Sequence, residues 1–311
     1  LVVLCTSSSF SYYTYNQVDP KGPGNRIGGQ LAYDCHRDVF VFVGRDLLMS
    51  SCNETLDTWE FDNDNWLLKL AYPGSVDIWR RGEGVLFYDT ITQRTVYSGA
   101  WYQGYYYQDT VIWDGLDWQF LPDAQTPAFG YKVAYAWDSV REKCVVVSND
   151  ETWEWNNSFW QQISTSTLPG SSAGDSMAYD PVRQRMVLLT NDGTGHCIKE
   201  YDGTDWITST AVHQLPDRTE CVMFFDETLQ KTIIFGGLAT FSGLNDTWTW
   251  DGTSLVQLSP THQPTPGSYA STYNGDENYC LITQGYSVET HHDFTHFISE
   301  TWKWDGSDWV S

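Results

Sequence analysis

The sequence predicts an all-β protein, a β-propeller of four-stranded antiparallel blades, and three observations carry the prediction. Two short motifs recur down the whole chain, the apolar runs between them are too short for helices, and tight-turn dipeptides fall where neighbouring strands must reverse. The first motif is an aromatic residue followed by an acid at the end of an apolar stretch. It occurs at Tyr33-Asp34, Tyr88-Asp89, Trp137-Asp138, Tyr179-Asp180 and Phe225-Asp226, with Tyr273-Asn274 as the weakest copy. The steps between copies are 55, 49, 42, 46 and 48 residues, the length that four strands and their turns occupy. The second motif reads D/E-T-W-x-aromatic-D-G-x-x-W. It is clearest at residues 246–252 (DTWTWDG) and 300–309 (ETWKWDGSDW), with relatives at 57–66, 109–118, 151–160 and 198–206.

Taken in chain order, residues 2–6 read as a second strand and residues 11–16 (SYYTYN) as a third, with no first strand ahead of them. Tyr12 precedes Thr58 by 46 residues, the normal step, so a seventh, partial blade is expected and a six-bladed ring is the alternative. The missing strand would come from beyond residue 311 and close the ring by strand exchange. The chain opens inside an apolar run, so residues 1–311 are expected to form a single propeller domain within a longer protein that carries further domains. Six complete units follow from about residue 27. Runs such as 40–44 (FVFVG), 145–147 and 186–189 are β-branched or apolar and read as buried strands. The D-G pairs at Asp114-Gly115, Asp202-Gly203, Asp251-Gly252 and Asp305-Gly306 supply the positive φ of tight hairpins, with Asn156-Asn157 as the substitute. The turn acids Asp34, Asp89, Asp138, Asp180 and Asp226 are read as structural, because a carboxylate at a turn accepts hydrogen bonds from backbone amides. Tryptophan at one position per unit is read as packing between sheets.

These residues resemble the kelch-repeat β-propellers. The aromatic-Asp turn and the W-x-aromatic-D-G-x-x-W hairpin match over nearly the whole chain. The diglycine that closes the second kelch strand survives only at Gly236-Gly237. The other blades carry Val43-Gly44, Ser98-Gly99, Ser148-Asn149, Thr190-Asn191 and Gln284-Gly285. The resemblance implies blades and no particular reaction.

Forty acidic against seventeen basic residues give a net charge of −23, a field that repels nucleic acid. No apolar run approaches the roughly 18 residues of a membrane span, so membrane insertion is not expected. Seven cysteines show neither C-x-x-C nor zinc-type spacing, and no cofactor is called for. Sixteen tryptophans in an acidic chain with few lysines suggest an extracellular or cell-surface protein. G-x-S-x-G, P-loop, H-E-x-x-H and sialidase boxes are all missing.

Strand alternation puts the 1-2 and 3-4 turns on one face and the 2-3 and 4-1 connections on the other. Most histidines fall on the second face, which is where a site is expected. One candidate patch is His291, His292 and His296, imidazoles beside Asp293 that suit copper or zinc. Another is Trp101, Tyr102, Tyr105 and Tyr106, rings beside amides that suit a sugar or a peptide. His196 is a further ligand-binding candidate. The leading expectation is a non-enzymatic module binding protein or glycan through this face. The alternatives are a lectin and an enzyme, either carbohydrate-active or metal-dependent in the manner of copper-radical oxidases.

Overall fold

The computed structural model describes residues 18–19, 22–24, 26–46, 56–62, 65–70, 83–102, 105–122, 124–170, 174–191, 195–208, 214–240, 242–289 and 294–311. Among them there is no helix. Blade 1 joins β1 (Val18–Asp19), β2 (Arg26–Asp34), β3 (Val39–Asp46), β4 (Leu56–Phe61) and β5 (Trp66–Leu70), with β1 paired outside β5. Blade 2 is β6 (Val85–Asp89), β7 (Arg94–Ser98), β10 (Thr110–Trp113) and β11 (Trp118–Phe120), and its 2-3 connection carries a ribbon of β8 (Trp101–Tyr102) and β9 (Tyr105–Tyr106). Blade 3 is β12 (Ala134–Asp138), β13 (Lys143–Ser148), β14 (Glu151–Trp155) and β15 (Trp160–Ile163). Blade 4 is β16 (Ser176–Asp180), β17 (Arg185–Asn191), β18 (His196–Tyr201) and β19 (Trp206–Thr208). Blade 5 is β20 (Val222–Asp226), β21 (Lys231–Ala239), β22 (Ser242–Trp250) and β23 (Leu255–Gln257). Blade 6 is β24 (Ser268–Asn274), β25 (Tyr279–Glu289), β26 (Phe294–Trp304) and β27 (Trp309–Val310). Every strand pairs antiparallel with its neighbours.

Turn chemistry explains the repeats. The first carboxylate oxygen of Asp138 accepts the backbone N–H groups of Val140 and Arg141 at 3.0 and 2.9 Å, and Asp34, Asp89 and Asp180 act alike. The fifth residue of each such turn is left-handed: Asp38, Gln93, Glu142, Gln184, Gln230 and Asn278 all have φ between 52° and 58°. In blades 1, 3 and 4 an arginine of the turn (Arg37, Arg141, Arg183) also bridges the turn acid to a third-strand glutamate. At the 3-4 hairpins Gly115, Gly203, Gly252 and Gly306 have φ near 90° and Asn157 has φ 60°, as the D-G pattern requires.

The last tryptophan of the second motif ties one blade to the one before it. The Trp118 indole N–H donates to Thr58 Oγ1 at 2.8 Å, Trp206 to Thr152 at 2.8 Å and Trp309 to Thr247 at 3.3 Å, while Trp160 uses Ser98 at 2.6 Å. Trp66 of blade 1 donates to Thr301 of blade 6 at 3.4 Å. At the remaining seam both polar partners are replaced together: blade 5 has Leu255 for the tryptophan and blade 4 has Ile198 for the threonine, in one buried cluster. Swapping both ends of a buried hydrogen bond for apolar groups strands neither partner.

The Trp66–Thr301 contact corrects the expected blade count. The inner strands β2, β6, β12, β16, β20 and β24 pack side by side, and β24 packs on β2, so the ring closes with six blades and leaves no gap for a seventh. Each blade is built from strands close together in sequence, and among the described residues no sheet joins strands from the two ends of the chain. The residues that suggested a partial blade, 2–6 and 11–16, lie outside the described residues. The short β1 that follows them lies on the outer edge of blade 1 and forms no blade of its own.

Candidate functional site

The inner strands surround an axial channel with two chambers that share part of their wall, including Gln30, Asp175 and Ala270. The smaller chamber, of about 140 Å³, opens where the 4-1 connections enter the inner strands. Its rim takes one equivalent residue from each blade, six positions before the turn acid: Gly28, Glu83, Lys132, Gly174, Glu220 and Ser268. Four of these have positive φ, namely Gly28 at 63°, Lys132 at 53°, Gly174 at 86° and Glu220 at 55°. Glycine takes that backbone conformation freely, whereas lysine and glutamate hold it against steric resistance. Three blades thus place long charged side chains, Glu83, Lys132 and Glu220, where the others have glycine or serine, and two of the three do so from a left-handed backbone.

Backbone hydrogen bonds set the spacing. Gly174 N–H donates to Lys132 O at 3.0 Å, and Glu220 N–H donates to Gly174 O at 2.6 Å. Blade 4 contributes no side chain between them, so the side chains from blades 3 and 5 meet across it. Lys132 Nζ donates to Glu220 Oε1 and, at 2.7 Å, to the hydroxyl of Tyr286, which itself donates to Glu220 Oε2 at 2.5 Å. Burial pulls the Lys132 pKa down, but the Glu220 and Glu83 carboxylates outweigh it, and the net displacement is well above the ordinary lysine value. Burial and then Glu220 push the Tyr286 phenol up, so it stays a neutral donor. Arg26, also in the wall, is held by Asp57 at 2.7 Å.

Gln284 completes the chamber. It is 3% exposed, and neither its Nε2 nor its Oε1 has a hydrogen-bond partner. It is also the bulge residue of β25: the register shifts between Thr283 and Gly285, and Gln284 has φ 42°. Blade 5 makes the same bulge between Phe235 and Gly237, with Gly236 at φ 62°. Gln284 thus stands where blade 5 has Gly236, the first residue of its diglycine. A bulge re-aims one side chain, and here that side chain is a carboxamide lining the cavity.

The residues singled out in the sequence stand elsewhere. Trp101, Tyr102, Tyr105 and Tyr106 form the β8–β9 ribbon, in which Tyr105 and Tyr106 are strongly exposed and line neither chamber. His196 is buried at the start of β18. Its Nε2 accepts the Arg218 backbone N–H at 2.7 Å, which leaves Nδ1 to donate to Thr190 O at 3.3 Å. His296 is exposed on β26 opposite Ser287. His291 and His292 lie outside the described residues. Among the described residues no three His, Cys, Asp or Glu side chains are grouped to hold a metal ion. The expected face does carry the cluster, but its members Lys132, Glu220, Tyr286 and Gln284 were not among the candidates. The signal for them is positional: charged residues six before the turn acid, and a glutamine in the place of the first diglycine residue.

Fold and channel together define a six-bladed β-propeller with a polar axial mouth. No family model matches the chain, and no curated protein matches it. Among solved structures YjhT is similar, with a TM-score of 0.60 at 12% identity over 94% of this chain and 98% of that one. At that identity the similarity speaks for the propeller fold alone.

Proposed function

We propose that the protein is a binding module that captures a small polyhydroxylated ligand, such as the terminal unit of a glycan, in the polar mouth of its channel. The observation that carries this reading is Gln284, a buried carboxamide with two unsatisfied atoms, held at a strained φ beside Lys132, Glu220 and Tyr286. An unpaired buried amide disfavours the empty fold, and strain of this kind marks functional positions. Hydroxyl groups, which both donate and accept, suit an amide flanked by an ammonium, a carboxylate and a phenol. The exposed Tyr105 and Tyr106 of the blade 2 ribbon and the exposed His296 of blade 6 would extend the contact for a longer glycan, or offer a separate surface to a protein. The kelch-like repeats and the acidic exterior favour a surface or secreted module.

Glycan-array binding followed by titration calorimetry tests the reading. Binding of the best hit is expected to be lost in Gln284→Gly and weakened at least tenfold in Tyr286→Phe, with Trp101→Ala/Tyr105→Ala weakening only longer glycans. Binding that survives Gln284→Gly unchanged would remove the mouth from consideration. A second reading, a carbohydrate-active enzyme, rests on the hydrogen-bonded Lys132–Glu220–Tyr286 set, in which a phenol can pass a proton. It is separated by turnover: chemical conversion of a bound glycan that Tyr286→Phe abolishes without preventing binding would favour the enzyme.

A further inference from the structure

The second chamber of the channel is larger, about 560 Å³, within the range of small-molecule sites. It opens on the opposite face, since its rim takes the residue after the turn acid from every blade: Cys35, Thr90, Ser139, Pro181, Glu227 and Gly275. Just inside, each blade contributes the aromatic residue of its first motif, so that Tyr33, Tyr88, Trp137, Tyr179, Phe225 and Tyr273 encircle the axis. Small residues of the inner strands, among them Ala134, Ala178 and Ala270, keep the space behind them open. Several rings are braced from behind. Trp137 stacks on Phe87 of the preceding blade at 5.9 Å, Tyr273 stacks on Phe224 at 6.0 Å, and the Tyr33 hydroxyl donates to Asp38 and Asp276.

Charge is distributed one way. The charged side chains of the described wall are Asp175, Glu227 and Asp276, with no lysine, arginine or histidine. The turn arginines Arg37, Arg141 and Arg183 are drawn into pairs within their own blades and do not line the chamber. The Tyr88 hydroxyl is buried beside the Asp34 carboxylate of the preceding blade, and burial and that carboxylate raise its pKa. An aromatic ring presents a negative face, and a cage of rings with a carboxylate rim selects a desolvated organic cation over a neutral molecule of the same shape.

We propose that this aromatic chamber is a second ligand site, independent of the polar mouth, and that it takes an organic cation of the quaternary-ammonium or alkylamine class. Choline and its neutral isostere 3,3-dimethylbutan-1-ol test it, because they differ in charge and hardly in shape. Calorimetric titration of the full chain is expected to show one saturable choline site, at least about tenfold tighter than the alcohol. Trp137→Ala and Asp276→Asn each weaken choline by about tenfold while the melting transition shows the fold intact, and Gln284→Gly leaves choline binding unchanged. Quenching of tryptophan emission by choline in the wild type, lost in Trp137→Phe, reports the same site without relying on a truncated ring. Equal affinity for the two probes, no saturable binding of either, or choline binding that depends on Gln284 and not on Trp137 overturns the proposal.

Discussion

Gln284 concentrates three unfavourable features in one residue: a left-handed φ, nearly complete burial and an unsatisfied carboxamide. Gly236 makes the same bulge at φ 62°, a conformation glycine takes freely, and carries no carboxamide to satisfy. Gln284→Gly is therefore expected to raise stability by about 1–3 kcal/mol, seen as a higher urea midpoint, while ligand capture is lost. A variant less stable than the wild type would mean that the amide is satisfied in solution. Lys132 and Tyr286 make a pH-dependent statement. Both have folded-state pKa values raised above their unfolded values near 10, so their contribution is complete below that pH and is lost as pH rises through the folded values. Urea titrations from pH 8 to 12 should show a shallower alkaline loss in Lys132→Met/Tyr286→Phe than in the wild type. These side chains were hard to read from sequence because no local motif holds them. Lys132 and Glu220 stand on different blades, and they become neighbours only because Gly174 stands between them without a side chain.

Hairpins are the elements that the sequence declared most openly. The D-G pairs, the turn acids and the apolar second strands all appear where the pattern placed them, since a two-residue turn has few chemical solutions. These turns also titrate. The Asp202 carboxylate accepts the Thr204 hydroxyl and the backbone N–H groups of Asp205 and Thr204, which lowers its pKa to about 2; Asp251 is lowered chiefly by the backbone of Ser254. A depressed pKa adds stability that is present above the unfolded value near 4 and is lost as pH falls through the folded value. Between pH 5 and 2 the wild type should lose stability more steeply than Thr204→Val, whose Asp202 keeps fewer donors. Parallel curves in urea titrations would show that the hydroxyl contributes nothing.

For the molecule as a whole, repetition revealed the blade but not the number of blades. Strand-like residues near the start of the chain satisfied the local pattern, whereas the count is fixed by a contact between residues 235 positions apart, Trp66 and Thr301. Closure can be measured. A double-mutant cycle on Trp66→Phe and Thr301→Val should give a coupling of about 0.5–1.5 kcal/mol, no larger than that for Trp118 and Thr58, whose hydrogen bond is shorter at 2.8 Å. Zero coupling at Trp66 with a normal value at Trp118 would mean that the ring stands open in solution between blades 6 and 1.

The seam between blades 4 and 5 behaves differently, because Ile198 and Leu255 grip each other without the indole and hydroxyl used elsewhere. Oil-like attraction fades as water is chilled, while the polar fastenings of the other five joints do not share that dependence. This joint keeps the Trp250 indole N–H donating to Glu200 at 3.0 Å but lacks the second indole clasp of its sisters, so amide exchange in the cold is expected to loosen it more than them.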